Sequence, residues 1–360
     1  MTCAERIESI FRGEMVDQVP FALKGWRVPS CQAERELRNA GMGIIDACSV
    51  YRTHSPNVST KTIQYSENGQ ALQRTIVETP VGEVTWVSRR MAAEKTEATT
   101  WLIEPPFKGP EDYKVLRFMA EDKVYEPAYE GFLKAQAQMD GDAFFKTSAP
   151  GMALHTIMYT FMDVEIFSIE WADRRDELIA LHEAMSKNQR DIYGIIAQSP
   201  ALVVQCGGNY ASEVLGKQRF VDFVLPHWEE VCGILHEGDK LVGCHLDANN
   251  KLWAEEVGAS DLDWLEAFSP APDTDMTVAD ARAVWPGKTL FINFPSGLHL
   301  ESPEVIAAHT RQILKDAAPG DRFIVGITEN VPENRWRESF RTILDTCHEY
   351  GQLPIDVSRF

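Results

Sequence analysis

The sequence predicts an α/β protein: a (β/α)8 TIM barrel with an antiparallel β-meander inserted near the N-terminus. Three observations carry that expectation. Eight short apolar runs are spread along the 360 residues, each tied to a segment with helical spacing or helix-start chemistry. No Pro-, Gly- or Ser-rich linker is long enough to divide the chain, so one barrel domain over 1–360 is expected, with 61–88 as a cap. The Gly-rich dinucleotide turn of an open doubly wound sheet, the runner-up architecture, is missing.

The elements follow in order. A helix from Cys3 to about Phe11 leads through Gly13 to the first run, Val19–Leu23, and a helix near Gln32–Asn39 leads to the second, Gly43–Cys48. Between Lys61 and Ser88 the pattern changes to period two, punctuated by Asn68-Gly69 and by Pro80-Val81-Gly82; this reads as a three-strand antiparallel meander with a tight first turn. Glu104 to Pro110 is a rigid connector, and the acids after Pro110 favour a helix start. The remaining runs are Ala143–Thr147, Ala201–Gln205, Lys240–Leu246, Leu262–Phe268, Thr289–Phe294 and Arg322–Ile327. Ser302-Pro303-Glu304 and the capping-box spacing of Thr277 and Asp280 mark two of the helix starts that follow.

Composition narrows the function. A formal charge of −19 repels phosphate backbones and anionic headgroups, which argues against nucleic-acid and membrane partners. The first twenty residues hold no apolar run of an export signal, and seven scattered cysteines without a CxxC fit a reducing compartment; a cytoplasmic address is expected. GxGxxG, GxxxxGK[ST], GxSxG and HExxH are all absent. Gly207-Gly208 reads as a tight strand-to-helix turn rather than a phosphate cradle.

Chemistry in such a barrel sits at the C-terminal ends of the strands, so the polar residues that close each run are the candidates. His245 and Asp247 are two apart and share a face. Glu266 and Glu329, from other strands, could converge on them, giving an imidazole and up to three carboxylates able to hold Zn²⁺ or Mn²⁺, or to hold a proton by like-charge repulsion. Trp26 and Arg27 follow the first strand and could meet an anionic group; Asn209, Tyr210 and Asn293 could hydrogen-bond a substrate. Cys206 and Cys244 read as buried small hydrophobes, and the Met-rich stretch Met152, Met158, Tyr159, Phe161, Met162 as core filling.

Arg12-Gly-Glu-Met-Val-Asp17-Gln-Val-Pro20, Glu78-Thr-Pro-Val-Gly82, His245-x-Asp247 and Phe323-Ile-Val-Gly326 before Glu329-Asn-Val-Pro332 resemble, in order and spacing, the uroporphyrinogen decarboxylase superfamily. The resemblance implies the same barrel. It is similar in its Thr-Pro-x-Gly element to the cobalamin-dependent methyltransferase branch, whose methylcobamide transferases hold zinc through His-x-Cys and a later Cys. Here Asp247 stands where the first Cys would be and Glu329 lies near the second. An oxygen-rich site suits an oxygen substrate better than a thiolate.

The implied function is methyl transfer from a methyl aryl ether, an O-demethylation, to cob(I)alamin, carried by a partner corrinoid protein or bound at the barrel mouth. His245, Asp247 and Glu329 are the expected catalytic residues. His245, Asp247, Glu266 and Glu329 are the expected ligands of a metal, with Zn as the candidate ion. The expected partners are that corrinoid protein and a small aromatic substrate, and a homodimer is compatible with the sequence. Two alternatives stay open: a decarboxylase of an aromatic or pyrrole acid, with Arg27 as clamp, and a non-catalytic corrinoid-protein docking module.

Overall fold

Eight parallel strands close on themselves in chain order, and they are the eight apolar runs. The computed structural model describes residues 1–90 and 100–360. The barrel strands are β1 (Phe21–Leu23), β2 (Gly43–Ala47), β3 (Ala143–Ala149), β4 (Val203–Cys206), β5 (Leu241–His245), β6 (Trp264–Phe268), β7 (Thr289–Asn293) and β8 (Phe323–Ile327). β1 pairs with both β2 and β8, which closes the ring and leaves no sheet edge.

By its backbone contacts the chain divides into two units. The first, Met1–Val50, Ala128–Ala149 and Ile196–Phe360, holds the barrel. Its floor is made by the N-terminal helix, Cys3–Phe11. Thr2 caps that helix: its hydroxyl accepts from the Glu5 N–H, and the Glu5 carboxylate accepts from the Thr2 N–H at 2.8 Å. The helix buries Ile7, Ile10 and Phe11 against Ala22, Ile45, Phe144, Val203, Trp264, Phe291 and Ile324, most of them near the starts of their strands. Phe11 stacks on Phe144 at 5.5 Å and meets Trp264 edge-on at 5.1 Å. Two interior positions must be glycine for these rings to fit. A Cβ on Gly243 would stand 2.3 Å from the Trp264 indole, and one on Gly326 would stand 2.1 Å from the Phe291 ring.

Helix starts in this unit follow the chemistry read from the sequence. Thr277 and Asp280 form a reciprocal capping box on the helix Val278–Val284. Ser302 occupies the cap position of Pro303–Ala317 without a capping hydrogen bond from its side chain, so Pro303 and the acidic Glu304 in the first turn carry that start.

The second unit, Tyr51–Pro127 and Pro150–Ile195, contains the meander. It has four strands where the sequence suggests three: Ser59–Glu67, Gln70–Thr79, Gly82–Arg90 and Thr100–Glu104, all antiparallel. The fourth is a short edge strand directly before the Pro-rich connector, so its alternation spans too few residues to stand out. The first turn is tight because Asn68 and Gly69 both adopt positive φ, 50° and 75°. Val77, Val84 and Val87 bury one face. Met152, Met158 and Met162 are buried, as core filling requires, while Tyr159 is exposed.

Phe11→Ala removes the ring that seals the floor without touching any strand. It should destabilise the protein by about 3–5 kcal/mol, read as a lower urea midpoint at unchanged m-value. A loss below ~1 kcal/mol would mean that the helix does not close the barrel core.

Candidate active site

Side chains two positions apart on a strand point the same way, so the floor residues predict the next layer up. Phe144 is followed by Lys146, Val203 by Gln205, Gly243 by His245, Trp264 by Glu266 and Phe291 by Asn293. An apolar floor therefore passes, within one residue pair per strand, into a polar layer at the C-terminal half of the barrel, where barrel chemistry resides.

Glu266 is the centre of that layer and is fully buried. Its Oε1 accepts from Lys146 Nζ at 2.6 Å and lies 3.6 Å from Lys24 Nζ; its Oε2 accepts from His245 Nδ1 at 2.8 Å. Lys146, itself buried, also donates to Gln205 Oε1 and lies over the Trp264 ring at 5.4 Å. On the other side of the imidazole, His245 Nε2 is 3.2 Å from Asp247 Oδ2. The chain of contacts thus runs from a sealed end at Lys146 to a partly open end, where the Asp247 side chain is 28% exposed.

Local backbone devices hold these groups in place. The register of β6 against β7 shifts just after Glu266, and Ala267 sits at φ 58°, a strained bulge that re-aims the strand beside the carboxylate. The turn after β4 brings Gly208 against His245: a Cβ there would lie 2.3 Å from the His245 Cβ. Gly207-Gly208 is therefore a tight strand-to-helix turn, as the sequence indicates, and it also braces the histidine.

The charges follow from these contacts. Burial pulls the Glu266 carboxyl upward, but Lys146, the His245 hydrogen bond and Lys24 together outweigh it and hold the group well below the usual carboxylate range. Burial pushes His245 down, yet its hydrogen bonds to Asp247 and Glu266 win and raise it to about 9. Burial also acts on Asp247, where the imidazolium prevails and lowers its pKa. For Lys146 burial is the largest effect and lowers the ammonium, with Glu266 opposing it. His245 is thus an imidazolium at neutral pH. Its folded pKa lies above the ordinary 6.5, so the stability it contributes is complete below that value and is lost as pH rises through about 9.

The structure brings together three of the four expected ligands, but not around one point. Glu266 and Asp247 lie on opposite nitrogens of His245, and the Glu266 oxygens are engaged by Lys146 and His245. Among the described residues no hydrogen bond or ion pair joins half-buried Glu329 to them. Among the described residues no group of three or more His, Cys, Asp or Glu side chains is arranged to hold a metal ion. The donor set does not fit the expected zinc centre, because two ammonium groups already neutralise the carboxylate meant to bind it.

The expected substrate contacts are placed variously. Arg27 stacks on the Trp26 ring at 3.9 Å and donates to Asn330 Oδ1 at 2.6 Å. Asn209 is exposed at φ 60° in the turn after β4. Tyr210 and Asn293 are both buried. Tyr210 packs edge-on to Phe220 and Trp228. Asn293 is a buried tie that donates to Ser269 Oγ at 3.3 Å and accepts from the Thr328 N–H at 2.8 Å, so its amide is used in linking strand ends. Cys206 and Cys244 are fully buried, as read. Sequence reasoning missed Lys146, Gln205 and Lys24. The signal for the first was available: a lone lysine two residues after an inward phenylalanine inside an apolar run.

A closed parallel barrel with a buried ionic cluster at its C-terminal half defines a (β/α)8 protein built on the plan of barrel enzymes. The profile of the uroporphyrinogen decarboxylase (URO-D) family matches residues 152–350, more than half of the chain, and the chain belongs to that family. In overall fold it is similar to a methyltransferase from Methanosarcina mazei, with 11% identity, a TM-score of 0.59, and coverage of 97% of this chain and 99% of that one. Two structures of the pneumococcal exo-β-D-N-acetylglucosaminidase StrH cover 97% of this chain and 88% and 89% of theirs at 9% and 8% identity. Their TM-scores of 0.39 and 0.40 carry no argument. Comparison with curated protein sequences gives no significant match. Among the described residues no helix is long and apolar enough to cross a membrane.

Lys146→Met removes the nearest of the charges that neutralise buried Glu266, leaving His245 and Lys24, and should cost about 3 kcal/mol of folding free energy. The Lys146→Met/Glu266→Met double variant should lose clearly less than the sum of the two single losses. Additive losses in urea titrations would show that the two groups are not coupled.

Proposed function

We propose that this chain is a methyltransferase that moves a methyl group from a methyl aryl ether to the cob(I)alamin of a partner corrinoid protein. In this reading His245 protonates the departing phenolate. The observation that carries it is the imidazole held at both nitrogens by carboxylates at the end of β5, one of them opening toward solvent. Membership of the URO-D family and the likeness in fold to a methyltransferase support the reaction class.

The partner's cob(I)alamin, as methyl acceptor, would supply the electron pair that takes up the methyl group. The ether O–C bond breaks, its electron pair stays on oxygen as phenolate, and a proton from His245 Nε2 yields the phenol. The protein's task is to supply that proton and hold the donor. An imidazolium raised to about 9 passes its proton to a phenolate of pKa ~10 slightly downhill. Asp247, hydrogen-bonded to the same nitrogen, must swing aside or stay beside the leaving oxygen. Glu266 positions the ring through Nδ1 and keeps it charged until transfer. No step is routed through a metal.

One observation favours a second reading, decarboxylation of an aromatic acid. Lys24 and Lys146 place two ammonium groups beside Glu266, a source of positive charge for the clamp role that the sequence gives to Arg27, whose guanidinium is engaged by Asn330 and Trp26. Purified protein mixed with cob(I)alamin and a methyl aryl ether decides between them. Methylcob(III)alamin should form, with a rate that falls as pH rises through about 9, and His245→Gln should slow it by about 10²–10⁴-fold. Release of CO₂ from a carboxylated substrate without methylcob(III)alamin would establish the decarboxylase instead, and absence of both reactions would leave the docking module.

A further inference from the structure

The four-stranded meander has two edges, and they are not alike. Thr100–Glu104 is five residues long, and its register against Gly82–Arg90 shifts between Val87 and Ser88, so that edge is short and bulged. Ser59–Glu67 is nine residues long, holds no proline and keeps an unbroken register against Gln70–Thr79. Proteins commonly blunt an edge by shortening it, bulging it or inserting proline, because a straight one offers its unpaired N–H and C=O groups to another chain. Only the first edge carries such devices. Lys61, the lysine placed to guard the second, is turned back onto Glu78 Oε1 at 2.7 Å.

Hydrogen-bond parity shows which groups are free. The Asn68-Gly69 turn, with both residues at positive φ, closes on Glu67 and Gln70, so Glu67, Tyr65, Ile63 and Lys61 bond inward to Gln70–Thr79. Thr60, Thr62, Gln64 and Ser66 point their N–H and C=O outward, and among the described residues none of these groups bonds to backbone beyond the hairpin. The side chains divide by the same parity. Thr60, Thr62, Gln64 and Ser66 make one face polar, while Lys61, Ile63, Tyr65 and Glu67 lie on the other. Ile63 is 50% exposed there, beside Tyr65, whose ring lies 5.9 Å from the Arg74 guanidinium on the next strand.

We infer that this edge pairs with the same edge of a second copy, antiparallel about a two-fold axis at Gln64, so that the two meanders form one continuous sheet. The strand itself selects both the occupant and the register. With Gln64 on the axis, Lys61 faces Glu67 of the second copy and Ile63 faces its Tyr65, and symmetry repeats each contact. Opposite charges, and an aromatic against a β-branched side chain, are the cross-strand pairs that stabilise sheets. Moving the axis by one residue in either direction loses the charge pair, because Lys61 then meets Tyr65 or Gly69. In the Gln64 register Thr62 exchanges backbone bonds with Ser66 across the seam, and the two copies of Gln64 exchange theirs with each other.

Sedimentation velocity of the full chain tests this without reference to activity. The unaltered protein should sediment as a dimer. Gln64→Pro removes the central donor from both copies while sparing the bonds to Gln70–Thr79, and it should raise the dimer dissociation constant at least about ten-fold. Register is read separately by oxidation with diamide. Gln64→Cys should cross-link to its own counterpart, since hydrogen-bonded antiparallel pairs stand ~5.5 Å apart at Cα, within disulfide range, whereas Thr62→Cys should not. A monomer at every concentration overturns the inference. So does a dimer that Gln64→Pro leaves intact, or cross-linking no greater for Gln64→Cys than for Thr62→Cys and the unaltered chain. The cysteine comparison decides the matter even if Gln64→Pro fails to fold.

Discussion

A carboxylate sealed inside a barrel must be neutralised where it stands, because water cannot reach it and desolvation costs several kcal/mol. Glu266 imposes that constraint on everything around it. Lys146 supplies the first compensating charge from β3, His245 the second from β5, and Lys24 a third from the end of β1. Three strands on different sides of the ring are thereby tied to one side chain. The bulge at Ala267 and the glycine against His245 are the backbone distortions that let these groups reach it. The charge on His245 is a consequence of the same constraint: an imidazole between two carboxylates keeps its proton in spite of burial.

The barrel was legible from the order of the residues because its signal repeats. Each strand is a short apolar run before a helix, and eight repetitions of a weak pattern leave few alternative folds. The fourth strand of the meander was not legible, since Thr100–Glu104 is short and ends in a proline-rich connector. At the site, His245 and Asp247 could be placed together because the two-residue period fixes their shared face. Glu266 could be named as a strand-end acid, but its meaning changes inside the ring. The expectation of a metal ligand assumed that carboxylates near a histidine lack counter-charges, and Lys146, hidden in an apolar run, supplies one.

Asn293 and Tyr210 show the opposite limit. Both close apolar runs and both carry groups suited to a ligand, yet one is consumed in tying strand ends and the other packs among aromatic rings. Position at a strand end thus does not by itself fix what a polar side chain meets. Whether a polar side chain continues the inward parity of its strand, and whether its donors are already spent on backbone, are facts of packing that a linear pattern does not contain. Lys24 lies just past β1 and is distinguished by neither motif nor period; only the long contact to Glu266 gives it significance.

The account turns on Glu266 keeping His245 protonated. The most direct measurement is a pH titration of the His245 ring by ¹⁵N NMR in the unaltered protein and in Glu266→Gln. The account requires a midpoint near 9 in the former and a clearly lower one in the latter, where Asp247 alone opposes burial. A midpoint at or below 6.5 in the unaltered protein, or one that Glu266→Gln leaves in place, would contradict it.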